Sequence, residues 1–475
     1  MGISISKKDV VWGYVAQFFS ISTGVLVLPL ILNKLSAEEV ALNYLMLTVA
    51  TMVSLLDFGF APQFARNITY VFSGAKDLYR ENVKVESDSS INYVLLKAVI
   101  AVAKSVYRYL SIIVLVLMLT FGSWYIGIVT EGFSNVNHAL LIWLLFSLST
   151  YFNIYYKYYD SLLTGRGMIT ESKKTIIISR ICYLFLSYVL LFCGCGLMGV
   201  VIANLLSPFV SRYMSYRYFY DKSICGALSG VVVQTAEKKR LFTVIWYNAK
   251  KLGINFVGAY AILRFSLFIA GFYLAMADIA AYGLMVQLVG IILGISQTFF
   301  TTISPQIASY RVKGNTDMII KRFALSLQIY WGLFTVGSIF LLCVVPWLLG
   351  LIGSQVHLPS VSIVICYLII NLLEGNHSMA ASCIATGNVI PFVTPAIVTG
   401  IFICLGDVLV LQFTSWGMLG LVLVQGLFQL AYNNWRWPYW ISKELNTNYF
   451  RLLQIGAVES FRLLSSYGKR VFRGI

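Results

Sequence analysis

Charge is scarce in this sequence. Asp, Glu, Lys and Arg make up 11% of its 475 residues, against about 25% in an average soluble domain. Acidic residues are scarcer still, 19 against 35 basic, and only three histidines occur, His138, His357 and His377. These lie far apart in the sequence, and no H-E-x-x-H pair is present, so the zinc site of that motif is missing. The eight cysteines fall mostly in apolar stretches; Cys193-Gly-Cys195 has no second pair at metal-ligand spacing, and packing is the expected role. No G-x-x-x-x-G-K-[ST] loop occurs, which argues against ATP hydrolysis by the chain itself. What fills the sequence is apolar: 59% hydrophobic residues and a mean hydropathy of +0.80. That composition describes a membrane protein with many spans.

Apolar runs of about 20 residues predict an all-α polytopic fold of twelve transmembrane helices. They fall near 10–32, 40–62, 110–130, 139–161, 175–195, 197–218, 253–273, 280–304, 323–345, 361–384, 393–413 and 417–435. The first follows Lys7-Lys8 and is long enough to span, unlike the shorter core of a signal peptide. The expected organisation is a six-helix lobe over 1–220, a connection over 221–251, a second six-helix lobe over 252–440 and a basic tail over 441–475.

The basic residues sort by side. They gather in the terminal segments and in alternate connections, as at Arg166, Lys173 and Lys174, at Lys238, Lys239 and Arg240, and at Arg462, Lys469, Arg470 and Arg473. The opposite connections hold Lys34 against Glu38, Glu39, Glu131 and Asp278. The positive-inside rule then puts both termini in the cytoplasm, and the +16 net charge reads as a topology signal rather than as nucleic-acid binding. Residues 74–108 are too charged to span. Their apolar positions recur at helical spacing, which predicts a helix lying on the cytoplasmic leaflet. The opposite-side connections are short and leave little room for a catalytic domain, so no enzyme activity is expected.

The chain also repeats itself. Asp278-Ile-Ala-Ala-Tyr-Gly-Leu-Met285 echoes Glu39-Val-Ala-Leu-Asn-Tyr-Leu-Met46, an offset of 239, and Pro305-Gln-Ile-Ala308 echoes Pro62-Gln-Phe-Ala65, an offset of 243. Thr386-Gly387 matches Thr164-Gly165. Six spans per copy is an even number, so the copies share one orientation and are related by a pseudo-two-fold axis along the membrane normal. The expected substrate path is the cleft between them.

Polar residues inside the spans mark where water or a partner is needed. Tyr367, Asn371, Glu374 and His377 fall on one face of the tenth span; Ser149, Asn153, Lys157 and Asp160 fall on one face of the fourth. These stripes are repeat-equivalent, and they predict two walls of an aqueous cavity, with structural hydrogen bonding between helices as the alternative. Arg264 is the deepest cation in the sequence, able to grip a phosphate in bidentate fashion or to pair with an acidic residue. Arg66, Lys250 and Lys251 extend the cationic set near span ends. Asp57, Glu374 and Asp407, with His377, are candidates for coupling to a proton or sodium gradient, for which no other cofactor is implied.

The stretch Leu55-Leu-Asp57-Phe-Gly-Phe-Ala-Pro-Gln-Phe-Ala-Arg66 resembles the second-helix motif of bacterial polysaccharide exporters. Ile303-Ser-Pro305-Gln-Ile-Ala308 is similar to the eighth-helix pattern of the same group. The resemblance is to the multidrug/oligosaccharidyl-lipid/polysaccharide exporter superfamily, in its O-antigen flippase (Wzx type) branch. It implies a two-lobe carrier in the bacterial inner membrane. Its substrate would be an oligosaccharide on undecaprenyl pyrophosphate, turned from the cytoplasmic to the periplasmic leaflet by alternating access. Glycan polymerase and chain-length proteins are the implied partners, besides membrane lipids. Basic residues of the first, second and seventh helices often contact the pyrophosphate in related flippases; Arg66 and Arg264 stand at the second and seventh spans, but the first span has no mid-helix Arg, so the full cationic triad is not matched. Tyr155, Tyr156 and Tyr159 offer faces for sugar rings. A cation-coupled multidrug exporter of the same fold is the alternative. A membrane glycan polymerase or ligase is a third reading, which the short outer connections disfavour.

Overall fold

The computed structural model describes residues 7–72, 74–79, 91–263, 265–312, 315–386 and 391–471. Among these the fold is all-α. Among the described residues, nine helices are long and apolar enough to cross a membrane. The chain divides into two compact units, Met1–Val257 with Ile352–Gln355, and Gly258–Leu351 with Val356–Ile475.

The first unit starts with α1 (Lys7–Lys34) and α2 (Ala37–Ser54). The start of α2 is fixed by a capping box: the Glu39 amide donates to Ser36 Oγ, and the Ser36 amide to Glu39 Oε2. Glu39 Oε1 also accepts from the Leu197 amide at 3.0 Å, which ties this end to a helix 158 residues away. The second predicted span is not one helix. A 3-10 turn (Leu55–Asp57) is followed by Phe58 and Gly59, both at positive φ (43° and 72°), and the helix restarts as α3 (Phe60–Phe72). Phe58 therefore holds a left-handed conformation that disfavours bulky side chains.

Then come α4 (Tyr93–Leu117), a π turn (Met118–Gly122) and α5 (Ser123–Val129), continuous along one 37-residue span. This corrects the expectation of a separate surface helix before residue 108. Leu95, Leu96, Ala98, Val99, Val102, Ala103 and Val106 are buried along one side, and no Gly or Pro interrupts the run. The charges that argued against a helix continuing here are used locally. Lys97 Nζ donates to the carbonyls of Leu228 and Val231 at 2.8 and 2.6 Å, and Lys104 sits over the Tyr220 ring.

The fourth predicted span is also interrupted. It folds as α6 (Ala139–Tyr155) and α7 (Tyr158–Gly165), with tight i to i−3 amide bonds from Lys157 to Ile154 and from Asp160 to Lys157 at the junction. It is followed by α8 (Ile169–Phe192), α9 (Gly196–Phe219), α10 (Lys222–Leu228) and the long α11 (Thr235–Leu263). The connection over 221–251 packs on this unit: Arg166 bonds Asp221, and Arg240 bonds Asp77.

The second unit holds α12 (Phe265–Ala270), α13 (Met276–Val312), α14 (Thr316–Cys343), α15 (Val345–Leu351), α16 (Val361–Ala385), α17 (Val393–Phe413), α18 (Gly417–Ala431), α19 (Asn433–Glu444) and α20 (Tyr449–Val471). Its repeat-equivalents of the two broken spans, α13 and α16, run unbroken for 37 and 25 residues. Part of the expected tail packs on this unit: α20 runs along α14 with Leu452 fully buried.

Candidate functional site

In the first unit the two interrupted spans meet. The α3 and α7 backbones approach closely: Ser161 Oγ donates to Ala61 O at 2.9 Å and Thr69 Oγ1 to Gly165 O at 3.1 Å. At the breaks themselves, Lys157 Nζ lies 2.9 Å from Asp57 Oδ2, and Tyr107 OH donates to Asp57 Oδ1 at 2.7 Å. Asp57 is 12% exposed and Lys157 is 40% exposed. Phe58, Phe60, Phe242 and Trp246 form a ring cluster beside them, and Gly253 of α11 lies directly against Phe58. The sequence nominated Asp57 as an ion-coupling group; its pairing with Lys157, two spans away, was not legible.

Arg66 is exposed on α3, with Nη2 donating to Gln63 Oε1 at 2.6 Å. Lys250 is exposed on α11 with its ammonium 5.8 Å from the Tyr247 ring centre. The Lys251 side chain and Arg264 lie outside the described residues.

A second cation in this unit escaped the sequence reading. Arg212 sits inside α9, with Nη2 bonded to Asn153 Oδ1 and the guanidinium 5.3 Å from the Tyr156 ring and 4.8 Å from that of Phe209. Its Nη1 is buried with no hydrogen-bond partner among the described residues. The signal that marks it is an Arg within a predicted span, 197–218, a full turn further from its end than Arg217. Around it Tyr156 stacks on Tyr159, Tyr159 meets Tyr216 edge-on, and Tyr216 packs on Tyr220. Asn153 thus serves Arg212, while Asp160, beyond the helix break, accepts from Ser172 Oγ at 2.6 Å. The predicted single stripe is divided between two helices.

In the second unit, Asn371, Glu374 and His377 are 4%, 7% and 8% exposed. The expected wet cavity wall on α16 is therefore replaced, in the structure, by side chains enclosed among helices. Asn371 Nδ2 turns back to Tyr367 O at 2.9 Å. His377 Nδ1 meets Asn434 Oδ1 of α19 at 2.7 Å, and its Nε2 is 3.6 Å from Glu374 Oε1. Glu374 Oε2 has no partner among the described residues. The neighbouring Asn376 accepts from Trp331 Nε1 of α14 at 3.1 Å and from Tyr449 OH of α20. Asp407, on α17, is fully buried, and neither of its oxygens nor nearby Ser266 Oγ has a hydrogen-bond partner among the described residues. No group of three or more metal-ligating side chains occurs among the described residues.

No protein-family model and no curated protein sequence matches the chain. Solved structures do. An inward-facing multidrug-resistance MATE transporter of the MOP superfamily aligns with a TM-score of 0.66 and 11% identity, covering 91% of this chain and 94% of that one. The lipid II flippase MurJ in an inward closed conformation aligns with a TM-score of 0.59 and 15% identity, covering 97% and 93%. The chain has the MOP-transporter fold. A third such structure, a MOP-superfamily transporter from Pyrococcus furiosus, aligns with a TM-score of 0.54 and 12% identity over 92% and 94%. The likeness runs over nearly the whole chain and agrees with its many apolar helices: this is a multi-pass membrane protein.

Proposed function

We propose that the chain is a flippase that moves an undecaprenyl-pyrophosphate-linked oligosaccharide from the cytoplasmic to the periplasmic leaflet by alternating access. The observation that carries this reading is the second span. The Leu-Asp-Phe-Gly…Arg stretch that resembles polysaccharide exporters is also where the helix is interrupted, with Asp57 in an ion pair and Arg66 exposed two turns on. Interrupted helices expose backbone polar groups only where protein or water can satisfy them, and in transporters they build binding sites. The likeness to MurJ over 97% of the chain supports a lipid-linked substrate.

A pyrophosphate and its sugars cannot enter hydrocarbon without polar partners. Arg66, Lys250, Lys251 and Arg264 are the proposed cations for the pyrophosphate, and Arg212 joins them. The polyprenyl tail needs no such partners and stays in lipid. Asp57, Glu374 and Asp407 are the proposed coupling groups. Asp407 is the most deeply buried of the three, and a carboxylate sealed from water is stabilised by a bound proton or small cation.

The second reading is a cation-coupled multidrug exporter, favoured by the higher TM-score of the MATE transporter. Proteoliposomes separate the two. A fluorescent undecaprenyl-pyrophosphate oligosaccharide should be turned over between leaflets by the purified protein, while accumulation of cationic dyes should not respond to it. Dye transport without lipid turnover would reverse the order of these readings.

A further inference from the structure

The last described helix, α20, has two faces of different use. Leu452 is buried against α14, and Gly456 lies directly on the carbonyl of Ala324. The Tyr449 hydroxyl at its start bonds Asn376 in the core of the unit. The opposite face carries Phe450, Gln454, Ala457, Val458 and Phe461, all exposed, at the i, i+4, i+7, i+8, i+11 spacing of a single helical stripe. Phe450 and Phe461 are 78% and 76% exposed. Arg451 and Arg462 lie along one edge of the stripe and are also exposed; Arg462 is paired with Glu459 one turn back. From Tyr449 to Ile475 the sequence has five basic residues, Arg451, Arg462, Lys469, Arg470 and Arg473, against the single acid Glu459, a net +4.

We infer that this outward face of α20 is a docking surface for a membrane leaflet containing anionic lipid. The helix is too polar to cross a bilayer, and it is not among the spans. Its aromatic stripe edged by arginines is the arrangement that lies in the interfacial plane, with rings below the headgroups and guanidinium groups among phosphates. Net positive charge on the same segment complements an anionic surface and argues against water or an acidic-poor protein surface as the occupant. The position has a consequence. Lipid held on one face of α20 acts on a helix whose other face rests on α14 and whose first residue bonds α16 between His377 and Gly375. This reading does not depend on which substrate is carried.

The test uses the full chain in nanodiscs of equal parts phosphatidylcholine and phosphatidylglycerol. A benzophenone-bearing amino acid replaces Phe461, and adducts formed on illumination are identified by mass spectrometry. The expected result is adducts to phospholipid, enriched for phosphatidylglycerol. Substituting Arg451→Gln and Arg462→Gln should cut that enrichment by about fivefold per arginine, the equivalent of ~1 kcal/mol for each cation at an anionic surface. Adducts only to protein, or no lipid adduct from a chain that elutes as a folded monodisperse species, would overturn the assignment. Lipid adducts without preference for phosphatidylglycerol would overturn its anionic part.

Discussion

Lys157 and Asp57 form an ion pair, 2.9 Å from Nζ to Oδ2, at the point where two separately interrupted spans come together. Neither residue lies within an α-helix: Asp57 ends a 3-10 turn and Lys157 joins α6 to α7. Replacing Lys157 by Met leaves Asp57 with the Tyr107 hydroxyl alone. The pair is partly open to solvent, so the expected loss is about 1 kcal/mol rather than the larger cost of a sealed charge. A thermal-unfolding double-mutant cycle with Asp57→Asn should show that the second substitution costs little once the first is made. Fully additive losses would mean that the two side chains are not coupled.

Two glycine substitutions should move stability in opposite directions. A Cβ on Gly253 would fall 2.8 Å from the Phe58 Cα, a backbone atom that has already been forced to positive φ. Gly253→Ala should destabilise by about 1–3 kcal/mol, as overpacking does. Gly226, in α10, has nothing within 4 Å of its would-be Cβ. Gly226→Ala should stabilise by up to ~1 kcal/mol through helix propensity. Unfolding midpoints of the two variants check both signs.

Arg212→Lys keeps the charge but loses the planar group lying over Tyr156 and Phe209 and bonded to Asn153. Stability should fall by about 1 kcal/mol, and Tyr156→Leu should lower it by a similar amount. If Arg212→Lys leaves the midpoint unchanged, the ring contacts are not what fixes this side chain.

Asp407→Asn removes a buried charge while keeping shape. The wild-type midpoint should rise with sodium, and the variant should lose that response, because ligand binding to the folded state alone raises stability. A sodium response that is the same in wild type and variant removes Asp407 from sodium coupling.

The connection over 221–251 is tied to the first unit by carboxylates that acid should release. For Asp77, burial alone would raise the carboxyl, yet hydrogen bonding and charge from Arg240, with the Leu78 amide, hold it below its ordinary value. Ser223 and the Ile224 amide, followed by Arg166, lower Asp221. Carboxyls lowered by folding contribute stability that is complete above the ordinary carboxylate range, near pH 4, and is lost as pH falls through the lowered value. The penalty of Asp77→Asn should thus be present at neutral pH and fade on strong acidification. It should stay small, because these groups are solvent-accessible. A penalty that grows as pH falls would contradict the assignment.

Apolar runs announce helices because each must hide its own backbone in lipid, and the described residues of the expected segments are almost wholly helical. Charge density was a poorer guide. Lys97 and Lys104 made the start of α4 look like a surface segment, when carbonyls of Leu228 and Val231 and the ring of Tyr220 receive them. Periodicity placed Asn371, Glu374 and His377 on one face of α16 but could not tell what that face meets; the answer, Asn434 and the neighbouring helices, comes from the far end of the unit. The helix breaks at Phe58 and Tyr156 carry no proline, so nothing local announces them beyond Gly59. Arg212 and Asn153, 59 residues apart, become one feature only after folding.

The two repeat copies differ most simply as mechanical parts. With α13 and α16 unbroken, the second copy has stiff rods, the longer of them ~55 Å from end to end at 1.5 Å per residue. The first copy has a joint in each corresponding rod, and a single ion pair fastens the two joints to each other. Bending in the first copy can be concentrated at residues 57–59 and 156–157, whereas the corresponding helices of the second have no such break. Duplication supplied two equal frames, and only one of them became pliant.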